Sequence, residues 1–208
     1  TKPVQAAELA GGEDVMAEKA RVEGFGPGDV SRHNIIVNDL FKVFPGPRRQ
    51  DPEKVAVKSL TMGVRDGEVL GLLGPNGAGK TTSIGMLTGF LEPTAGRAMV
   101  CGLDILTEMD NIYALMGVCP QHDLVWRDLS GRECLDFYAA LKNIPPGEPR
   151  KLAVDDALRS VNLLDVGDKA CGSYSGGMRR RLSVAISMIG APRVVYMDEP
   201  STGLDPAS

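Results

Sequence analysis

The stretch from Gly74 to Thr81 limits most tightly what this chain can fold into. It reads Gly-Pro-Asn-Gly-Ala-Gly-Lys-Thr, the pattern G-x-x-x-x-G-K-[ST] of a phosphate-holding loop. An apolar run before it, residues 68–73, predicts a buried parallel strand, and Lys80 to Leu91 predicts a helix. A glycine loop between a strand and a helix N-terminus presents backbone N–H groups and the helix dipole to an anion. The sequence therefore predicts a site for a nucleoside triphosphate.

Two side chains of this loop have specific expected roles. Lys80 can reach the β- and γ-phosphates, and the Thr81 hydroxyl can ligate Mg²⁺. The glycines allow a close backbone approach that a Cβ would block, and an ordinary glycine-rich turn is the alternative interpretation. The predicted nucleotide-binding residues of the loop are Gly74, Pro75, Asn76, Gly77, Ala78, Gly79, Lys80, Thr81 and Thr82.

A second apolar run, Val194 to Met197, ends in the two acids Asp198 and Glu199. A strand parallel to the first would place Asp198 near the Mg²⁺ shell, and Glu199 would then be placed to polarise an attacking water. The alternative is a core strand followed by solvated acids. The phosphate loop upstream favours the catalytic interpretation.

The segment Tyr174-Ser175-Gly176-Gly177-Met178 predicts a helix start. Ser175 is a natural N-cap, and the two glycines leave backbone N–H groups open at the head of a helix that runs to about Ile189. A plain capped helix is the alternative. The segment resembles the signature motif of ABC ATPases, usually Leu-Ser-Gly-Gly-Gln, and it precedes the Asp-Glu strand as in that family.

Three further segments extend the resemblance. Gln121 follows Gly-Val-Cys-Pro where the family has its Q-loop glutamine, which touches Mg²⁺ and the attacking water. Residues 201–205, Ser-Thr-Gly-Leu-Asp, resemble the D-loop at the dimer interface. Phe44 stands where the family has an adenine-stacking aromatic, usually Tyr; core packing on a strand is the alternative, but stacking needs only a π face.

The resemblance is to subfamily A of the ABC transporters, most of all to the second nucleotide-binding domain, and it covers residues 31–208 strongly. It rests on Gly117 to Gln121, on Gly172 to Ser183 and on Gly190 to Asp205 with the following Pro206; the segment Glu13-Asp14-Val15 and the charged run after it resemble the linker before that second domain. Tyr174 and Met178 depart from the common Leu and Gln. The family's switch histidine is expected beyond Ser208, so that the chain is expected to stop after the D-loop, and neither His33 nor His122 can take its place.

The expected fold is α/β, a P-loop NTPase of ABC type: a mixed sheet core, a small antiparallel β lobe and an inserted helical lobe at about 123–173. Residues 1–30 are expected to be a partly disordered linker with a short helix through Asp14 to Val22, and 31–208 the ATP-binding domain. Alternating runs predict strands at 35–44 and 55–64. A capping box at Ser130 predicts a helix to about Lys142.

The resemblance implies a mechanism in which two such domains meet head to tail, with ATP and Mg²⁺ as cofactors. Ser175, Gly176 and Gly177 would act in trans on the partner's γ-phosphate. The implied catalytic residues are Glu199, Gln121 and Lys80, and the implied metal ligands are Thr81, Gln121 and Asp198. The implied partners are a second nucleotide-binding domain and transmembrane domains, at the cytosolic face of a membrane, with a lipid-like cargo; the 208 residues alone are expected to hydrolyse ATP weakly.

Composition and charge bear on the class of function and on the state of the cysteines. A net charge of −4 and a pI near 5.3 disfavour a nucleic-acid binder. Residues 179–181 form a dense basic run. On a helix three consecutive side chains point in three directions, which favours exposure of these arginines to solvent. The four cysteines lack C-x-x-C spacing and are expected to be buried free thiols.

Two rivals stay open. A soluble ABC ATPase that works on DNA or ribosomes shares these motifs without a coupled membrane domain. A nucleotide-binding module that no longer hydrolyses is the other, although Lys80, Gln121, Asp198 and Glu199 are all present.

Overall fold

In the computed structural model, residues 12–46, 48 and 51–199 are described. They fall into two compact units, the first ending at Met109 and the second beginning at Asp110. The predicted D-loop, 201–205, and the first eleven residues of the predicted linker lie outside the described residues.

A four-stranded antiparallel sheet forms the centre of the first unit. Its strands are β1 (His33–Phe44), β2 (Lys54–Arg65), β3 (Ala95–Val100) and β4 (Leu103–Asp104), in the order β2-β1-β3-β4. The alternating apolar side chains of the long strands bury one face of the sheet, where Val37, Leu40 and Val100 are fully inaccessible. This is the predicted antiparallel lobe.

Within the part of this unit that the structure describes, three helices accompany the sheet: α1 (Glu13–Glu23), α2 (Pro27–Val30) and α3 (Lys80–Leu87). The first confirms the short helix predicted through residues 14–22. It is fixed to the outer edge of β2, because Glu18 Oε1 accepts from Gly63 N at 2.9 Å and Arg21 Nη2 donates to Gly63 O at 2.9 Å. Together the two side chains satisfy the backbone of one edge residue as a neighbouring strand would.

Two predictions about the segment around the phosphate loop are wrong. Residues 68–73 form no strand, and Val69 and Leu73 are 97% and 93% exposed. A strand exists only where a neighbour takes up its backbone hydrogen bonds, and no described strand pairs with this run. The helix after the loop ends at Leu87 rather than Leu91, because Gly89 turns the chain with φ +75°.

In its described residues, 110–199, the second unit contains a two-stranded parallel sheet and four helices, the first of which begins one residue earlier. The elements are α4 (Met109–Leu115, beginning at the boundary), β5 (Met116–Cys119), α5 (Gly131–Leu141), α6 (Glu148–Ser160), α7 (Gly176–Met188) and β6 (Val194–Met197). Short 3₁₀ turns lie at Leu164–Val166 and Cys171–Ser173. The predicted capping box is confirmed at the start of α5, where Ser130 Oγ accepts from Glu133 N at 3.1 Å and Glu133 Oε2 accepts from Ser130 N at 2.7 Å.

Helices α5, α6 and α7 enclose one apolar core, and the boundaries of an inserted helical lobe at about 123–173 stay a prediction. Its fully buried members include Leu135, Leu158, Leu182 and the thiols of Cys134 and Cys171. Burial raises the pKa of the Cys171 thiol to about 12. All four cysteines are free, as predicted; three are buried, whereas Cys101, which was also expected to be buried, is partly exposed.

Helix α7 packs against β5 backbone to backbone. A Cβ at Gly117 would lie 1.8 Å from the carbonyl oxygen of Ser187, so only glycine fits there. Strand β5 pairs in parallel with β6, Met116 opposite Val194 and Cys119 opposite Met197. The carboxyl ends of the two strands therefore meet beside α7. Of the helices in the described ranges, none combines the length and the apolar character needed to cross a membrane.

Candidate functional site

The phosphate loop of the first unit turns through two left-handed glycines. Gly77 has φ +86° and Gly79 has φ +91°. A Cβ at Gly79 would lie 2.5 Å from the Ala56 carbonyl oxygen of β2, so the loop lies directly on that strand. Helix α3 begins at the next residue, Lys80, and its first N–H groups face the loop. The arrangement is that of an anion-binding helix start.

The side chain of Lys80, the first residue of α3, reaches back into this loop. Its Nζ donates to the carbonyl oxygens of Gly74 at 2.7 Å and Pro75 at 3.2 Å. Residues 74–78 are exposed, and Thr81 and Thr82 follow in the first turn of α3. An ammonium group, backbone N–H donors and a hydroxyl together fit a magnesium-bound phosphate chain.

Phe44 lies on the strand adjacent to the loop contact. Val57 of β2 touches Gly79, and the register places Lys42 of β1 opposite Val57 and Phe44 opposite Lys54. Lys42 Nζ lies 5.1 Å from the centroid of the Phe44 ring. The ring is half-buried at the end of the sheet, and its stacking on a base stays a prediction.

The carboxyl ends of β5 and β6 bring three predicted residues together. The Asp198 N–H donates to the Cys119 carbonyl at 2.9 Å, which continues the pairing of the strands. One residue on, Gln121 Nε2 donates to Glu199 Oε2 at 2.9 Å across the two strand ends. Asp198 is 8% exposed, whereas the side chains of Gln121 and Glu199 face solvent. The predicted partner of β6, the strand before the phosphate loop, is replaced by β5.

Glu199 has a strained backbone. Its φ is +48°, in the left-handed region that costs a residue with a Cβ about 1 kcal/mol or more. Such strain concentrates where the position of a side chain has a function.

The solvated face predicted for 179–181 is wrong for Arg180. This side chain is 2% exposed, and its guanidinium donates to backbone carbonyls at the ends of both β5 and β6. Its neighbours point elsewhere, since Arg179 Nη1 donates to Tyr174 O and Arg181 Nη1 to Val161 O. A signal was available: positions 180, 183 and 187 share one helix face, and the two serines on it are small enough for close packing.

The signature segment begins α7 as predicted. Ser175 Oγ accepts from the Met178 N–H at 3.1 Å, and Ser175 and Gly176 are exposed. Tyr174, which replaces the usual Leu, is 3% exposed, and its hydroxyl donates to Val166 O at 2.8 Å. Burial raises the pKa of this phenol. The tyrosine therefore anchors the open helix end to the core of the helical lobe.

The predicted site residues divide between the two units. The phosphate loop and Phe44 belong to the first, and Gln121, Asp198, Glu199 and the signature segment belong to the second. The oxygen donors assigned to Mg²⁺, namely the Thr81 hydroxyl, the Gln121 amide and the Asp198 carboxylate, are of the hard type that this ion prefers.

The sequence model of the ABC transporter family matches residues 57–202. The chain belongs to the ABC transporter family. The matched region contains the phosphate loop, the strand-end acids and the signature segment, so it is the ATP-binding domain of an ABC transporter. The family and fold predicted from the motifs are thereby confirmed.

Two curated proteins and one solved structure show what this chain is similar to. ABC transporter A family members 7 and 10 of Arabidopsis thaliana are each 56% identical over 197 residues, 94% of this chain. The chain spans about a fifth of the length of these curated relatives, 21% and 22%. Among solved structures, the ATP-binding cassette MJ0796, a dimer in a post-hydrolysis state with ADP and Pi, has the same fold, with a TM-score of 0.73 at 19% identity, over 83% of this chain and 77% of that one.

Proposed function

We propose that this ABC domain binds and hydrolyses ATP to drive a lipid-like substrate across a membrane. The observation that carries the proposal is the contact between the Gln121 amide and the Glu199 carboxylate at the ends of two parallel strands. A carboxylate held in place by an amide is what activation of a water molecule requires.

Each residue has a role in this reaction. Glu199 accepts a proton from the attacking water, and Gln121 orients the water and the carboxylate. Lys80 offsets the charge of the β- and γ-phosphates. Thr81, Gln121 and Asp198 would hold Mg²⁺, which supplies charge neutralisation to the phosphate oxygens when bound.

Action as a pair of domains is the second part of the proposal. We propose that Ser175, Gly176 and Gly177 contact the γ-phosphate held by a second nucleotide-binding domain, so that ATP joins the two and hydrolysis releases them. MJ0796, the similar cassette, was solved as a dimer. Transmembrane domains are the second proposed partner, at the cytosolic face of a membrane. A lipid-like cargo is proposed from the resemblance to subfamily A alone.

The test compares wild type with Glu199→Gln in the full-length protein reconstituted in phospholipid vesicles. Glutamine keeps the shape and removes the charge, so we expect ATP to stay bound while phosphate release falls by about a hundredfold. Glu148→Gln, an exposed acid at the start of α6, is the matched control.

Two outcomes would count against the proposal. Equal phosphate release in both variants would remove Glu199 from the chemistry. Hydrolysis that proceeds without movement of any labelled phospholipid, in a protein that alkaline carbonate strips from membranes, would favour the soluble ABC ATPase instead.

A further inference from the structure

Arg180 joins the two strand ends that carry the hydrolysis residues. Its Nη1 donates to Pro120 O at 2.6 Å and lies 3.4 Å from Gln121 O, at the end of β5. Its Nη2 donates to Asp198 O at 3.0 Å and Glu199 O at 2.8 Å, at the end of β6. One guanidinium group therefore contacts the backbone of both residues whose side chains meet in the Gln121–Glu199 contact.

We infer that Arg180 is a positioning residue for ATP hydrolysis: it sets the separation of Gln121 and Glu199 by holding their backbones from behind. The inference rests on the proposed function. The contacts that carry the inference are made to backbone carbonyls of the second unit, the unit that also contains Gln121 and Glu199. Its effect reaches the reaction through the two strand ends.

The chemistry of the position calls for arginine in particular. A guanidinium presents five N–H donors in a rigid planar fork, so its two terminal nitrogens can each serve a different strand. A lysine ammonium is a single point on a flexible stem and cannot hold both ends at the same spacing. The other positions of α7 with side chains this fully buried carry apolar or small residues, such as Leu182 and Ala185.

Burying a charge is costly unless it is compensated. Here four carbonyl oxygens point at the guanidinium, and the Asp123 carboxylate lies 4.0 Å from Nη1. A side chain that served packing alone would be apolar, because an apolar residue of similar size avoids the desolvation cost. The buried charge is therefore explained by the strand ends that it joins.

Helix α7 links this contact to the signature segment. Arg180 lies five residues after Ser175, about 7.5 Å along the axis of one continuous helix. The helix start that is proposed to meet the partner's nucleotide and the guanidinium that holds the hydrolysis pair consequently move together.

The test uses the full-length protein in phospholipid nanodiscs, with Arg180→Lys as the variant and Arg181→Lys as the matched control. Arg181 is the next residue of α7 and also donates to a backbone carbonyl, that of Val161, but in the helical lobe. We expect Arg180→Lys to lower kcat by about tenfold to a hundredfold, as misplacement by an ångström does. KM for ATP should stay within about twofold for both variants, because the phosphate loop is untouched.

A double-mutant cycle separates positioning from general stability. The Gln121→Ala variant lacks one of the two side chains whose separation Arg180 is inferred to set. Arg180→Lys should then lower kcat by much less than it does in the wild type. Equal fold-losses in the two backgrounds would overturn the inference, as would a loss of kcat matched by an equal loss of ATP binding and a lowered unfolding temperature.

The two proposals fail in different ways. If the wild-type protein releases phosphate and Arg180→Lys behaves like Arg181→Lys, the positioning role is wrong and the proposed function stands. If the wild-type protein releases none while binding ATP, the proposed function fails first and the positioning role with it.

Discussion

The Gln121 amide nitrogen donates to the Glu199 carboxylate at 2.9 Å, which joins two residues 78 positions apart in the chain. Each follows the end of a strand, and the two strands are parallel neighbours. The contact is thus a consequence of strand pairing, and it gives the carboxylate a fixed orientation although both side chains face solvent.

Gln121→Glu should convert this contact into a repulsion. Two carboxylates at hydrogen-bond distance cannot both be charged without cost, so we expect the pKa of one of them to rise. Phosphate release at pH 7 should fall by about tenfold or more, and a proton shared by the pair at lower pH should restore the contact without restoring the reaction. Gln121→Ala is the control that removes the amide without adding charge; a pH profile identical in both variants would contradict the contact.

Lys80→Ala should weaken ATP binding. Its ammonium donates to the carbonyl oxygens of Gly74 and Pro75, within the loop that is proposed to bind the phosphates. Loss of a charged hydrogen bond should reduce affinity by about tenfold to a hundredfold in a titration with a fluorescent ATP analogue. Lys151→Ala, an exposed lysine of α6, should bind as the wild type does; unchanged affinity in Lys80→Ala would remove the loop from the nucleotide site.

Gly177→Asp should separate binding from turnover. The new carboxylate lies at the helix start that is proposed to meet the partner's γ-phosphate, so it repels that group. ATP binding by an isolated domain should stay within about twofold, whereas phosphate release by the full-length protein should fall by about a hundredfold. Gly28→Asp, in the first turn of α2, is the control; a Gly177→Asp domain that cannot bind ATP would place the signature in its own domain's site or in the fold.

Gly117→Ala should destabilise the second unit. The added Cβ would lie 1.8 Å from a backbone oxygen of α7, and neither backbone can move without separating β5 from the helix. The expected loss is about 3 kcal/mol in the free energy of unfolding, measured by urea denaturation. Gly71→Ala meets nothing within 4 Å and should leave that free energy nearly unchanged; equal values for the two variants would show that the packing of β5 on α7 is loose.

Local signals in the sequence were sufficient for the loops and helix starts. The phosphate loop, the Ser130 box and the Ser175 cap are each specified within a few residues by glycine conformation or a side-chain acceptor. The run at 68–73 shows the limit of such signals. Its apolar residues satisfy the pattern of a buried strand, but a strand also needs a partner, and pairing is not encoded in the run itself.

Arg180 was missed for a related reason. A run of three arginines predicts solvent exposure on average, yet burial depends on what the helix packs against. Carbonyls at the ends of β5 and β6 receive the guanidinium, and those strands lie 60 residues before it and 18 after it. Contacts so far apart in the chain produce no pattern in the sequence around Arg180. The family resemblance assigned both Gln121 and Glu199 to the attacking water, but it did not predict the contact between their side chains.

The left-handed backbone of Glu199 brings the proposed catalytic role of this side chain into conflict with the stability of the folded domain. Residues such as glycine and asparagine adopt φ +48° with less strain than glutamate. Selection of this domain for heat resistance alone would therefore favour those residues at position 199, and each such substitution would remove the carboxylate that we propose as the base. Glutamate at position 199 lowers the stability of the fold, and its proposed role in ATP hydrolysis accounts for its presence there.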